Sequence, residues 1–284
     1  MNLPKLILIL SVALVAISTS SIFARMIPEV QPVTVSFWRM AIGAAIFWVV
    51  TYIQKKKPLS GKHRYSIIFC GLFLSLHLIC FFAALHFTSV AKATLYGAMA
   101  PLFAAVIEKV FLKRHWNKGI SIGLVLGLLG AVLLQLGKLG NGDDDLVGVI
   151  LALFAGLFLA LLMIFAEKVR KNSDLLIFTR ALYGWAAIIL LGLGTSLDHN
   201  LFRLNSSDYL WLILLGLIPT VLGHTLLYYS VRYVRPTIVS AVPLGEPILA
   251  SLMALVFFAE AIPLMTIIGG GVTLVGLYVL VTKH

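Results

Sequence analysis

The chain has 284 residues, 61% of them hydrophobic and only 12% charged, with a formal net charge of +11. A soluble domain of this length needs far more charge on its surface, so a soluble globular protein is excluded. On a soluble protein the positive balance would point to nucleic acid; here the distribution of Lys and Arg along the chain points to a membrane.

Ten apolar segments are long enough to cross a bilayer at about 20 residues per span. Each must be helical, because lipid satisfies no backbone polar group. They run over residues 3–24, 33–53, 65–86, 91–112, 118–137, 146–166, 176–195, 209–231, 236–258 and 264–281. The connections between them are short, so an all-α integral membrane protein without a soluble domain is expected. With the N-terminus placed in the cytoplasm, sixteen of the 22 Lys and Arg fall on the inner side, among them Lys55, Lys56, Lys57, Arg114, Lys168, Arg170 and Lys171. Four fall outside (Arg25, Lys92, Lys138 and Arg203), and Arg39 and Arg180 lie within spans. That asymmetry predicts both termini in the cytoplasm.

The first 24 residues also fit a signal peptide, with Lys5, an apolar run and Ala24 near a cleavage-like site. A counterpart in the sixth span (Ile9/Ile150, Leu10/Leu151) argues for a retained first span instead. Cys70 and Cys80 share the third span; ten residues at 1.5 Å rise put them about 15 Å apart, too far for a disulfide.

The two halves repeat each other. With an offset of 146, nine of the 34 residues in 101–134 have identical partners, including Pro101/Pro247, Phe111/Phe257, Gly123/Gly269 and Gly130/Gly276. Earlier in the halves the offset is 141, as in Phe37/Phe178, Arg39/Arg180 and Gly43/Gly184. Five spans per half force the second half into the bilayer upside down. The expected organisation is a first repeat over 3–137, an acidic external linker over 138–145 carrying Asp143–Asp145, and a second repeat over 146–282. Inverted repeats are a recurrent framework for alternating access.

The stretch VSAVPLGEPILASLMALVFFAEAIPLMTIIGGGVTLVGLYVLV (239–281) resembles the end of an EamA domain, as does ATLYGAMAPLFAAVIEKVFLKRHWNKGISIGLVLGLLGAVLL (93–134). Over roughly residues 5–282 the chain resembles a ten-helix member of the drug/metabolite transporter superfamily. The mid-span Pro, the later Glu260 and the Gly-rich fifth and tenth spans carry the likeness. The resemblance implies two bundled EamA repeats, cytoplasmic termini, a cell inner membrane, a central cavity and a small organic solute as cargo. Two departures stand out. Arg114 occupies the place that Glu260 holds in the second half, and Ser18-Thr19-Ser20-Ser21 replaces a Trp common early in the first span.

Glu246 is the leading candidate for chemistry. It lies about ten residues into the ninth span, about 15 Å deep, where an acid is functional by default. Its repeat mate is Ala100. A carboxyl that switches between neutral and ionised forms suits proton coupling, and an ionised one suits a cationic group on the cargo. Pro243 and Pro247 flank it and remove amide donors, and Pro101 does the same in the fourth span, so kinks with freed carbonyls are expected. His77 and His224, in the third and eighth spans, miss repeat register by one residue and are candidate proton partners. Tyr96 and Tyr228 are candidate stacking residues for a planar or cationic solute, and Ser18 stands for the polar run of the first span. Arg39 and Arg180 fit a snorkelling, helix-end role. Gly119, Gly123, Gly127 and Gly130, mirrored by Gly269–Gly271 and Gly276, allow close helix approach within the chain, with a homodimer interface as the alternative use.

The sequence carries no phosphate-binding Gly loop, no His-Glu-x-x-His and no Cys cluster, so no metal, cofactor or nucleic-acid partner is expected. The expected function is secondary active transport, in the export direction, of amino acids or similar small metabolites by alternating access, with protons as the candidate coupling ion. The alternatives are a facilitative exchanger and an intramembrane enzyme on a lipid-linked substrate, with Glu246 and His224 as acid and base.

Overall fold

The computed structural model describes residues 1–88, 90–136, 146–258, 262 and 264–283. The expected linker 138–145 with Asp143–Asp145, and Glu260, lie outside the described residues. Within them every regular element is a helix, with no strand. Nine helical segments are long and apolar enough to span a membrane, and a tenth apolar helix, Lys118–Leu133, is shorter.

Five spans are single helices of ordinary geometry: α1 (Leu3–Arg25), α2 (Pro32–Ile53), α3 (Arg64–Phe87), α7 (Leu146–Arg170) and α8 (Leu175–Ser196). Local chemistry sets their starts. The Asn2 side chain accepts from the Lys5 amide at 3.3 Å ahead of α1, Pro32 opens α2, and Asp174 accepts from the Leu176 and Ile177 amides ahead of α8. A proline in the first turn loses nothing, since that amide has no helical partner.

The fourth, eighth and ninth spans are broken. The fourth is α4 (Val90–Gly97) and α5 (Ala100–Val110), with Pro101 at the restart. The eighth is α9 (Ser206–Leu215), a π-helical stretch Gly216–His224 containing Pro219, and α10 (Thr225–Ser230). The ninth is α11 (Pro236–Ala241), a 3-10 turn Val242–Gly245 containing Pro243, and α12, which begins at Glu246 (Glu246–Phe258). The fifth and tenth spans are α6 (Lys118–Leu136) and α13 (Leu264–Thr282). Pro243 lies in the interruption of the ninth span, Pro247 and Pro101 each lie in the first turn of the helix that restarts, and the interruption of the fourth span is matched by that of the ninth.

The main helix contacts cross between the repeats. α2 packs on α8, α6 on α13, and α3 on α7; α1 packs on the eighth span, and α5 on α11. The pairs of repeat mates run antiparallel. In the fifth and tenth spans a Cβ on Gly123 would fall 2.7 Å from the Leu280 amide nitrogen, and the Thr273 hydroxyl reaches back to the Gly127 carbonyl at 3.5 Å. In the second and seventh, Phe47 packs on Tyr183 and Arg180 donates to the Thr51 hydroxyl. Antiparallel mates are what an inversion of the second half requires. The glycine stripe is thus used inside the chain.

Gly276→Ala places a methyl group against the backbone of Gly127, whereas a Cβ at Gly271 meets nothing within 4 Å. Overpacking of this kind costs roughly 1–3 kcal/mol, while Ala is the better helix former by about 1 kcal/mol. Gly276→Ala should lower the melting temperature in detergent and Gly271→Ala should leave it unchanged or raise it. Equal effects at the two positions would contradict the backbone-to-backbone contact.

Candidate functional site

Three broken spans leave backbone groups without the usual helical partners, and the interior side chains answer them. In the eighth span the Thr220 hydroxyl donates to the Leu215 carbonyl five residues back, at 2.9 Å. The Thr220 carbonyl accepts from the Tyr183 hydroxyl of α8 at 3.1 Å, and that hydroxyl also meets Thr225 Oγ1 at 3.0 Å. Arg39, from α2, donates from Nε to Thr220 Oγ1 at 3.1 Å and from Nη1 to Ser20 Oγ at 3.0 Å. The wide turns of a π-helix are common at functional sites, and this one delivers His224 at its end.

A cavity of about 50 Å³ lies where the breaks meet. The first span contributes Ile17 and Ser20, the third His77, Leu78 and Phe81, and the fourth Thr94, Gly97 and Ala98. Leu159 comes from α7, His224 and Leu227 from the eighth span, and Pro243 and Glu246 from the ninth. Glu246 starts α12 beside the 3-10 turn, and its mate Ala100 starts α5 at the symmetric break. His77 Nδ1 lies 2.9 Å from the Ala155 carbonyl. A carbonyl only accepts, so Nδ1 carries the proton and Nε2 of the neutral ring is an acceptor. The rings of His77 and His224 stand 6.5 Å apart, so the one-residue mismatch in repeat register does not separate them in space.

Arg39 corrects the expectation from sequence. It is 2% exposed and lines the same cavity as Glu246, with its guanidinium 5.5 Å above the Phe82 ring. It does not snorkel. Its repeat mate Arg180 takes a different environment, partly buried against the Trp48 ring at 4.5 Å. Three other expected site residues lie outside the cavity wall. The Ser18 hydroxyl is turned onto its own helix, donating to the Leu14 carbonyl at 2.7 Å, and Ser20 is the serine that faces Arg39. Tyr96 packs against the small cluster of Ala84, Ala93 and Ala152. Tyr228 is fully buried behind the cavity, its hydroxyl 3.5 Å from His224 Nδ1 and its ring against Phe178 and Tyr183.

On the face rich in Lys and Arg, an ion-pair network lies at the ends of the fourth and sixth spans. Arg114 reaches Glu167 at 2.6 Å and Glu108 at 3.5 Å, and Lys171 meets Glu167 at 2.9 Å. Glu108, 1% exposed, also accepts from the Thr237 amide of α11 at 3.2 Å, which ties in the ninth span. Arg114 thus pairs with acids on α5 and α7. Nearby, Lys56 meets Asp174 at 2.7 Å. Burial raises the pKa of the Asp174 carboxyl, but the Lys56 ammonium and the Ile177 and Leu176 amides outweigh it and hold the group below its ordinary value. On the opposite face a second cavity of about 230 Å³ is bounded by Arg25, Pro28, Pro32, Leu85 and His86, with Phe82 in its wall. The Phe82 ring therefore stands between this vestibule and Arg39.

Comparison with known proteins gives a consistent picture. The model of the EamA-like transporter family matches residues 4–136 and again 146–282. An uncharacterized transporter of Archaeoglobus fulgidus is 26% identical over 93% of this chain and 92% of its own length. Solute carrier family 35 member G1 of Mus musculus is 23% identical over 91% of this chain and 73% of its own. A solved crystal structure superposes with a TM-score of 0.78 over 97% of this chain and 96% of that one; at 17% identity it speaks to the fold alone.

Removing one partner of a buried pair leaves an uncompensated charge. Arg114→Ala should destabilise the purified protein by about 1–3 kcal/mol, read as a fall in melting temperature. Adding Glu167→Gln should recover part of that loss, because a neutral amide no longer needs the cation; strictly additive losses would show that the two residues are not coupled.

Proposed function

Since this chain belongs to the EamA-like transporter family, and is a multi-pass membrane transporter on that footing, we propose that it is a secondary active transporter exporting amino acids or similar small metabolites by alternating access. The observation that carries this reading is Glu246, an acid at the restart of a broken span, lining the cavity where the broken spans meet. Discontinuous helices at a repeat interface are where transporter sites tend to lie. In this proposal Glu246 is the proton or cation site, with His77 and His224 lining the same cavity. The membrane is a cell inner membrane, the basic face is cytoplasmic, and the repeats are residues 3–137 and 146–282 joined by an external linker.

The cavity volume supports a closed state within such a cycle. About 50 Å³ is far below the roughly 300–1,000 Å³ of sites that hold small-molecule ligands, so cargo enters only when the bundle opens. The Arg114 network is the barrier on the basic face and the Phe82 ring the barrier on the other. Opening inward separates Arg114 from Glu167 and Glu108; opening outward moves Phe82 off Arg39.

The test is flux in proteoliposomes, with a metabolite pool inside and a pH gradient imposed. One proton exchanged per cargo under a gradient of one pH unit supports about a tenfold cargo gradient. Wild type should follow the gradient, and Glu246→Gln should lose that dependence. Gradient-independent flux retained by Glu246→Gln would make the protein a facilitative exchanger and Glu246 a structural acid.

A further inference from the structure

A third cavity lies away from the broken spans, on the face rich in Lys and Arg. It measures about 410 Å³ and sits between α2, the turn before α3, and α8. That is within the roughly 300–1,000 Å³ of sites that hold small-molecule ligands. Its two ends differ. One is polar, with Ser60 and Gly61 from the turn, Arg64 from the start of α3 and Arg180 from α8. The other is apolar, with Gly184, Trp185 and Ile188. Arg180 stands five residues into α8, about 7.5 Å from its start, and Ile188 lies about 12 Å further along the same helix. Trp48, Trp185 and Ile188 are 56%, 36% and 60% exposed. Within spanning segments, exposure of this kind is toward acyl chains, so the groove opens to lipid.

The two arginines meet no acid there. Arg180 donates from Nη1 to the Thr51 hydroxyl at 3.2 Å and lies over the Trp48 ring at 4.5 Å. Those contacts hold the guanidinium without neutralising it. Arg64 is exposed and makes no ion pair within 4.0 Å among the described residues. Asp174, the acid at the start of α8, is already paired with Lys56 at 2.7 Å, and among the described residues the groove wall holds no carboxylate. Guanidinium forks are answered by a phosphate, and basic pockets between spans at the membrane surface suit lipid headgroups. A zwitterionic headgroup would bring an ammonium that this wall cannot pair, so a headgroup of net negative charge fits. A soluble phosphate would leave the apolar end unfilled. Gly184 keeps that end open, since a Cβ there would meet only Trp48 Nε1, at 3.7 Å.

We propose that this groove binds an anionic phospholipid, with Arg64 and Arg180 on its phosphate and an acyl chain along Gly184, Trp185 and Ile188. Arg64 belongs to the first repeat and Arg180 to the second, so one lipid ties the two halves together beside the packing of α2 on α8. The groove shares no wall residue with the cavity where the broken spans meet. The lipid site therefore stands independently of the cargo the protein carries.

The experiment titrates the full chain, purified in detergent and stripped of lipid, with dioleoylphosphatidylglycerol or dioleoylphosphatidylcholine, and reads bound lipid by native mass spectrometry. Wild type should bind the phosphatidylglycerol about 10-fold to 100-fold more tightly, the span expected for a charge-assisted hydrogen bond. Arg64→Gln should abolish most of that preference. Lys62→Gln, two residues away and outside the wall, should cost at most about fivefold, the general attraction of one surface cation. Gly184→Leu fills the apolar end, keeps both charges, and should weaken both lipids. If Gly184→Leu does not fold, the comparison of Arg64→Gln with Lys62→Gln carries the test, since the Arg64 side chain has no ion pair to lose. Equal affinity of wild type for the two lipids, or equal losses in Arg64→Gln and Lys62→Gln, overturns the site in favour of diffuse surface attraction. Inorganic phosphate that raises the melting temperature as much as phosphatidylglycerol does, and fails to do so in Arg64→Gln, assigns the groove to a soluble anion and overturns the lipid.

Discussion

A backbone group inside a bilayer has no water to fall back on, so every interruption of a spanning helix must be answered by protein. This chain interrupts three spans and turns all three interruptions toward the interior. The π-helical turns of Gly216–His224 are answered by Tyr183, Thr220, Thr225 and Arg39. The break after Gly97 lies against Gly156 of α7, where any side chain would strike the Gly97 carbonyl. The 3-10 turn before Glu246 lacks an amide donor at Pro243, Pro247 lacks another just after it, and the carboxyl stands at the start of the new helix. The polar wall of the cavity is a consequence of where the backbone was allowed to break.

The same interior is shared by both repeats. Each span makes its main contact with a span of the other half, so neither half buries its own polar residues alone. The inverted pairing also makes the site almost symmetric. Ala100 and Glu246 begin equivalent helices at equivalent breaks, and the acid is supplied by one repeat only. Arg39 and Arg180 are equivalent in sequence, yet one is sealed in the core and the other rests on a Trp near the basic face. Two structurally matched halves thus carry unequal chemistry.

Much of this was legible from the chain. Length and apolarity locate the spans because the bilayer permits little else, and matched Pro, Arg and Gly residues reveal the repeat because those residues mark backbone events. Glu246, His77 and His224 were readable as interior groups since polar residues in apolar segments are rare. Arg39 was misjudged because distance along the helix says how deep a residue lies but not which side it faces. Ser18 and Ser20 illustrate the same limit: two residues apart is about 200° around a helix, enough to put one on its own backbone and the other on Arg39. The Arg114 network was hidden for another reason. Its acids, Glu108 and Glu167, lie 59 residues apart in sequence, and only the packing of α5 on α7 brings them to one cation.

Gly123, Gly127 and Gly130 bring α6 against α13 with backbone touching backbone. A contact without side chains has no alternative rotamers to adopt, and sliding it by a fraction of a turn meets a clash. The fifth and tenth spans therefore behave as a strut, a fixed post beside elements that carry prolines and wide turns. Motion in this bundle is divided by composition: glycine marks what stays still, and proline marks what bends.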